Sequence, residues 1–271
     1  MSLQRTARLF CFGALGVVFV AGLFAGTFTR YSYATQFREA PNAAPSAAHL
    51  LGTDGLGRDL LTRIVYGTRV SLILAPAAAL LATVIAGILG GLAGLRGGWV
   101  EKTILAAADL SLALPLFFVL IALRALLPLD VSPTVSVVAT FVMLGLLGWP
   151  ASLRMVWAAA RRLRESDHFL FATALGYGKS RLLFRQVVPN LRPILFALFW
   201  ISIPLFILTE ATLSMLGLGV MEPLPSWGNL LRGSEDFSLM VANPWRLVPL
   251  AVLVLTVICF QYILPKMGEI A

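Results

Sequence analysis

Two cysteines and two histidines are all that 271 residues hold of the side chains that most often build disulfides and metal sites. Cys11 and Cys259 both lie inside long apolar runs. That placement indicates neither a disulfide framework nor a metal site, and they read as small buried hydrophobes. His49 and His168 stand far apart, and the sequence contains no HExxH cluster and no GxxxxGK phosphate loop followed by Ser or Thr. With no nucleophile and base to pair, the chain reads as a non-enzyme with no catalytic residue, metal or cofactor of its own. Charge is scarce too, at 13% of residues, where a soluble domain carries about 25%.

What fills the chain instead is apolar: 59% of residues are hydrophobic and the mean hydropathy is +0.88. These residues come in long uninterrupted blocks, the mark of a bilayer as solvent rather than of a large core. Six blocks, at about 9–27, 70–95, 103–126, 131–149, 194–216 and 247–264, are long enough to span at ~1.5 Å per residue. The fold class expected is all-α, a polytopic membrane protein of about six transmembrane helices. The first block follows Arg5 and Arg8 as a secretory signal would, but five more spans follow it and no disulfide-bearing domain does. It reads as a retained signal anchor.

Residues 30–69 are polar, with Pro41, Asn42, Pro45 and Ser46 marking a loop. Gly87, Gly90, Gly91 and Gly94 place small residues on one face of the second helix, where backbones can approach. Pro115 predicts a kink in the third helix, Pro150 an end to the fourth, and Pro204 with Glu210 an interruption of the fifth. Residues 154–192 are densely basic, with Arg161, Arg162, Arg164, Lys179, Arg181 and Arg185 against Glu165 and Asp167. If that stretch is cytoplasmic, both termini are cytoplasmic, and 13 of the 21 Lys and Arg fall on that side. Arg30, Arg38, Arg58, Arg63 and Arg69 stand against the bias. The net charge of +8 is thereby assigned to topology and anionic headgroups, not to nucleic acid.

A carboxylate at the bilayer centre costs roughly 2.5–3.5 kcal/mol on insertion scales. Glu210 should therefore face the bundle interior, water or a partner subunit, either fixing helix packing or lining a translocation path. Ser214 is a candidate for the same path or packing role. Asp109 is a weaker candidate, because it lies near the cytoplasmic end of the third helix, where solvation is cheaper. Gly52 to Gly57 form a turn-rich approach to the second helix, and Asp59 with Arg63 forms an i, i+4 pair of opposite charge. These residues either cap and anchor that helix or move with a gate. The basic stretch is a headgroup-facing loop or a protein-docking helix-turn-helix, and spacing does not separate the two. Trp227, after Pro223 and Pro225, is expected on an outer loop as an interfacial anchor or a docking surface. Asp109 and Glu210 also admit an ion-gradient-driven secondary transporter, against which stand the absence of a detectable inverted repeat and the small number of helices.

Three segments resemble the inner-membrane permease subunits of dipeptide, oligopeptide and nickel ABC importers, binding-protein-dependent transport systems. His49 to Leu72 reads HLLGTDGLGRDLLTRIVYGTRVSL, close to a GTDxLGRD signature; Phe171 to Asn190 reads FATALGYGKSRLLFRQVVPN, like the EAA loop; Glu210 to Leu231 reads EATLSMLGLGVMEPLPSWGNLL. The resemblance implies a type I ABC importer permease fold over 70–271, with 1–69 forming the signal-anchor helix and an extracytoplasmic loop. It implies a multi-pass protein of the bacterial inner membrane that forms half of a path, paired as a heterodimer with a second homologous permease. Two ATPase subunits carrying ATP and Mg, and an extracytoplasmic substrate-binding protein, would complete the system. Residues about 161–192 would then be the coupling loop, with Ala172, Ala174, Gly176, Lys179, Arg181, Pro189 and Asn190 at the ATPase. Asp54, Arg58, Asp59 and Trp227 would line the extracytoplasmic entrance. Leu170 and Phe171 stand where the family usually has Glu and Ala, and Gln186 replaces a customary His; the missing Glu implies a cleft on the ATPase that is more apolar or otherwise altered. Gln261 to Pro265 replaces a common Asn-Leu-x-Gly-Asp run.

Overall fold

The computed structural model describes residues 2–126, 131–233 and 237–263, without the side chains of residues 2–4, 179, 180, 237 and 239. The helices are α1 (Ser2–Leu23), α2 (Ala25–Phe28), α3 (Leu60–Arg96), α4 (Gly98–Ala113), α5 (Leu116–Ala125), α6 (Pro133–Leu147) and α7 (Trp149–Arg164). They continue as α8 (Asp167–Ala174), α9 (Lys179–Leu182), α10 (Val188–Met215), α11 (Trp227–Arg232), α12 (Phe237–Ala242) and α13 (Val248–Ile263). A π turn over Leu183–Val187 leads into α10, and a 3-10 turn over Pro244–Leu247 leads into α13. No strand occurs among the described residues.

Among the described residues, five helical stretches are long and apolar enough to cross a membrane: Arg5–Leu23, Leu60–Arg96, Pro133–Arg164, Leu183–Met215 and Pro244–Ile263. The pair α4 and α5, bent by 78°, makes a sixth when counted as one span. The six expected spans are therefore present, as is the kink expected at Pro115, and three readings are corrected: the start of α3, the end of the fourth span and the interruption of the fifth. Helix α3 starts at Leu60 rather than at the apolar block, because Asp59 Oδ2 accepts from the Thr62 N–H (2.8 Å) and hydroxyl (2.7 Å) and caps its first turn. Arg63 and Arg69 accordingly lie in the helix. At Pro115 the third span breaks into two helices: Leu114 adopts an extended conformation, as the residue before proline prefers.

Pro150 does not end the fourth span. It sits in the first turn of α7, where a missing N–H costs nothing, and the helix runs on to Arg164. Nor do Pro204 and Glu210 interrupt the fifth, since α10 is continuous to Met215. The tail from Leu264, including Pro265 and Lys266, lies outside the described residues.

The chain divides into two compact units. The first comprises Met1–Pro76, Ile121–Phe141 and Pro204–Leu264; the second includes Ala77–Leu120 and Val142–Ile203. In the first, α13 packs against α1 and α11. The rest of α1 is poorly covered, with Leu9, Phe10 and Val17 each at least 65% exposed, as a lipid-facing helix should be. In the second, α4 packs on α7, and Val156, Ala160, Leu163, Val187, Leu191 and Leu198 form a core. The glycines of α3 serve two faces rather than one. A Cβ on Gly90 or Gly94 would strike α7 at the Leu153 carbonyl (2.8 Å) or the Ala160 Cβ (2.6 Å), whereas Gly87 and Gly91 face Leu195 and Leu191 of α10.

Candidate functional site

The GTDGLGRD segment folds onto itself before α3 begins. Asp54 Oδ1 accepts from the Leu56 and Arg58 N–H groups, both at 2.9 Å, and the Gly57 N–H donates to the Asp54 carbonyl at 3.0 Å. Gly52 and Gly57 both have φ near +72°, and a side chain on either would collide with the backbone of Ala43 or Phe37. Both glycines are therefore dictated by the turn itself. Thr53 is fully buried, and its hydroxyl donates to the Ala40 carbonyl and accepts from the Ala43 N–H, tying the loop to its amino-terminal arm.

The charges in this segment do not pair as their spacing suggests. Asp59 makes no pair with Arg63; besides capping α3 it meets His49 Nδ1 at 2.9 Å. Arg58 takes the i, i+4 role instead, with Nε on Asp54 Oδ2 at 2.7 Å and Nη1 on Glu222 Oε2 at 2.6 Å. Arg63, 1% exposed, donates through Nη2 to both Glu222 oxygens, at 2.9 and 3.1 Å. Asp54, Arg58, Arg63 and Glu222 thus form one network joining the GTDGLGRD segment to the loop after α10. They line a cavity of about 270 Å³ together with Arg232 and Arg246.

The LGLG–PSWG segment closes around Glu210. Helix α10 ends in a glycine-capped turn: Gly217 has φ +76°, its N–H donates to the Ser214 carbonyl, and the Leu218 N–H donates to the Leu213 carbonyl. Glu210 is completely buried, and its Oε1 accepts from Ser214 Oγ at 2.6 Å and Ser226 Oγ at 2.8 Å. Ser214 Oγ in turn accepts from the Val220 N–H, and Ser226 with Asn229 forms a reciprocal cap on α11. Gly219 and Gly228 admit this packing, since a Cβ on either would strike Ser214. Glu210 therefore binds the two ends of the motif together. Arg124, which sequence reasoning misses, holds the turn from outside by donating to the Leu218 and Gly219 carbonyls at 2.9 and 3.0 Å and to Ser136 Oγ. A lone arginine in an apolar span is the available signal.

Trp227 is placed otherwise than expected. It has no exposed surface at all, and its Nε1 donates to Thr68 Oγ1 at 3.1 Å, so it serves neither as an interfacial anchor nor as a docking surface. Its polar handle is satisfied inside the unit, which makes burial of so large a ring favourable. Glu222 also escapes sequence reasoning, although it stands beside the PLPSWG run.

Between the spans ending at Arg164 and starting at Leu183 lies the basic hairpin. Helix α8 ends in a second glycine-capped turn: Gly176 has φ +74°, its N–H donates to the Thr173 carbonyl, and the Tyr177 N–H donates to the Ala172 carbonyl. A helix-turn-helix is thus present, with Gly176 in its turn between α8 and α9. Ala172 is buried against its own chain, so it presents nothing outward, while Ala174 and Gly176 are exposed. Leu170, Phe171 and Leu175 are the prominent side chains, 54%, 69% and 74% exposed. Arg181 stacks on the Tyr177 ring at 4.3 Å. The side chain of Lys179 lies outside the described residues. Pro189 follows the π turn, whose wider backbone accommodates a residue that cannot donate, and Asn190 Nδ2 donates to the Gln186 carbonyl at 2.6 Å. Asp109 pairs with Arg154, both more than half exposed, a contact worth at most about 1 kcal/mol.

Residues 86–265 match the family described as the inner membrane component of binding-protein-dependent transport systems. The chain belongs to this family. Among curated relatives of this permease family, the chain is 36% identical over 225 residues to a Brucella suis protein provisionally named a peptide permease protein, covering 83% of the chain and 72% of the relative. It is 34% identical to the oligopeptide transport system permease protein OppC of Bacillus subtilis, with coverage of 90% and 78%. It is 33% identical to the glutathione transport system permease protein GsiD of Pectobacterium atrosepticum, with coverage of 81% and 71%. The chain is thus a multi-pass permease subunit of an ABC importer. The ion-driven alternative is not favoured, since the family and the relatives are those of ABC importers.

Proposed function

We propose that this permease subunit moves peptides, and that it is driven through the hairpin between α7 and α10. The relatives named for peptide, oligopeptide and glutathione transport support the cargo class. The observation that carries the coupling role is the exposed apolar tip Leu170, Phe171 and Leu175, set in a basic stretch outside the membrane spans. An exposed apolar patch rimmed by charge suits a protein partner. The partner is an ATPase subunit whose cleft is apolar where others receive a glutamate. A second permease completes the path, two ATPases bind ATP and Mg, and an extracytoplasmic binding protein delivers the peptide.

In this reading both termini and the hairpin lie in the cytoplasm, while the GTDGLGRD network lies on the extracytoplasmic side. Residues 1–69 serve as signal anchor and outer loop, and 70–271 as the permease domain. Closure of the ATPases displaces the hairpin, and the stiff helices on either side of it carry the movement as a two-position lever. Photo-crosslinking from position 174, exposed on α8, tests the docking. An adduct with an ATPase subunit is expected; an adduct with lipid alone overturns the assignment.

A further inference from the structure

A slot of about 690 Å³ runs between α3 and α10 inside the second unit, and the coupling scheme makes no use of it. One wall extends from Leu80 to Leu95 and the other from Leu183 to Phe199, and of the side chains lining it only Thr83 and Arg192 are polar. The Thr83 hydroxyl is itself buried, so Arg192 is the polar group open to the slot. The apolar run of α3 ends at Leu95, just before Arg96, and that of α10 begins at Ile194, just after Arg192. Arg192 therefore stands at the edge of the hydrocarbon, and its side chain leans toward the amino-terminal end of α10, away from the bilayer centre. Among the described carboxylates of this unit, Glu101, Asp109 and Glu165 answer Trp157, Arg154 and Arg161, Asp167 opens α8, and Arg192 pairs with none. Glu269 lies outside the described residues.

From Leu80 to Leu95 the slot measures about 22 Å along the helix, more than the ~15 Å of hydrocarbon in one leaflet. A helix is about 10–12 Å across, and one laid along that length would take roughly 2,000 Å³, far more than the slot offers. A single acyl chain is thin and flexible enough to follow it. Gly91 keeps the floor open, since a Cβ there would meet only Leu191, at 3.9 Å. At the boundary end, the forked donors of a guanidinium match a phosphate in both shape and charge. We infer that the slot holds one acyl chain of an anionic phospholipid whose phosphate rests on Arg192. The apolar walls retain the chain, and Arg192 selects the headgroup, because the cation of a zwitterionic lipid offsets part of the attraction. Occupation of the slot does not depend on which cargo the permease carries.

The test titrates the purified full-length chain in detergent with dioleoyl phosphatidylglycerol or dioleoyl phosphatidylcholine and counts bound lipid by native mass spectrometry. Wild type should retain one phosphatidylglycerol about tenfold more tightly than phosphatidylcholine, the effect of one charge-assisted contact. Arg192→Gln, at an exposed position, should abolish that preference and leave phosphatidylcholine binding unchanged. Gly91→Leu, which fills the slot, should weaken both lipids. Equal binding of the two lipids by wild type, or an undiminished preference in Arg192→Gln, would overturn the inference. If Gly91→Leu fails to fold, Arg192→Gln decides alone. Photo-crosslinking from position 88, on the wall of the slot, names the occupant in the assembled importer. A lipid adduct is expected there, and an adduct with a second permease chain would overturn the inference by giving the slot to a helix.

Discussion

Arg63 and Glu222, 159 positions apart in the chain, share hydrogen bonds of 2.9 and 3.1 Å through a single guanidinium nitrogen. The pair fastens the start of α3 to the loop that follows α10, two segments with no neighbouring sequence in common.

Breaking that pair from the Glu222 side leaves a buried guanidinium short of its main acceptor. Removal of one partner of a buried pair costs roughly 3–5 kcal/mol, and the half-exposed position of Glu222 places this case at the low end. Glu222→Ala should therefore lower the unfolding midpoint in detergent well below that of Arg232→Ala. A double-mutant cycle between positions 63 and 222 should return a coupling of about 1–3 kcal/mol. A coupling indistinguishable from zero would show that the bonds do not contribute.

At Glu210 the prediction separates shape and hydrogen bonding from charge. Glutamine keeps an oxygen for the Ser214 and Ser226 hydroxyls, so Glu210→Gln should retain most of the stability. Glu210→Ala leaves both hydroxyls without their acceptor and opens a cavity, at a cost of about 2–5 kcal/mol. Thermal unfolding of the two variants measures the contrast, and equal loss would remove the latch role.

Two glycines beside that latch should refuse a methyl group. Gly219→Ala and Gly228→Ala both drive a Cβ into Ser214, and overpacking of this kind costs about 1–3 kcal/mol. Gly16 is the control: a methyl group there meets nothing within 4 Å, and Gly16→Ala should be neutral or better in the same unfolding measurement.

Trp227 should behave as a core residue. Trp227→Phe removes the hydrogen bond to Thr68, worth about 1 kcal/mol, and leaves a small cavity as well, while Trp227→Ala, which empties the whole site, should cost more, about 3–5 kcal/mol. A mild alanine variant with weakened binding-protein association would instead restore the docking role that its burial argues against.

Much of the architecture was legible because lipid imposes long apolar runs, which a sequence displays directly. The glycine turn at Gly176 was also legible, through the resemblance of its segment to the EAA loop; the turn at Gly217 was not read. Polar partnerships were not. Asp59 and Arg63 have the spacing of a helical pair, but Asp59 sits before the first turn as a cap, where its side chain turns back to Thr62 and His49. Glu222 and Arg124 owe their roles to contacts 159 and 94 positions away, which no local period encodes. Trp227 misled because an amphipathic ring suits a membrane interface and a hydrogen-bonded core equally well. Ala172 was misplaced for a similar reason: small size suits close approach to a partner and to the chain's own helices alike.

The central claim is that force enters through the exposed tip of α8 and comes from ATP. The direct test is uptake of a labelled peptide by proteoliposomes of the assembled importer, comparing wild type with a Phe171→Asp, Leu175→Asp variant that inserts normally. Uptake that requires ATP in the wild type and is lost in the variant, with residual ATP hydrolysis no longer stimulated by loaded binding protein, is the predicted result. Undiminished uptake by the variant, or uptake by this chain alone on an ion gradient without ATP, would contradict the account.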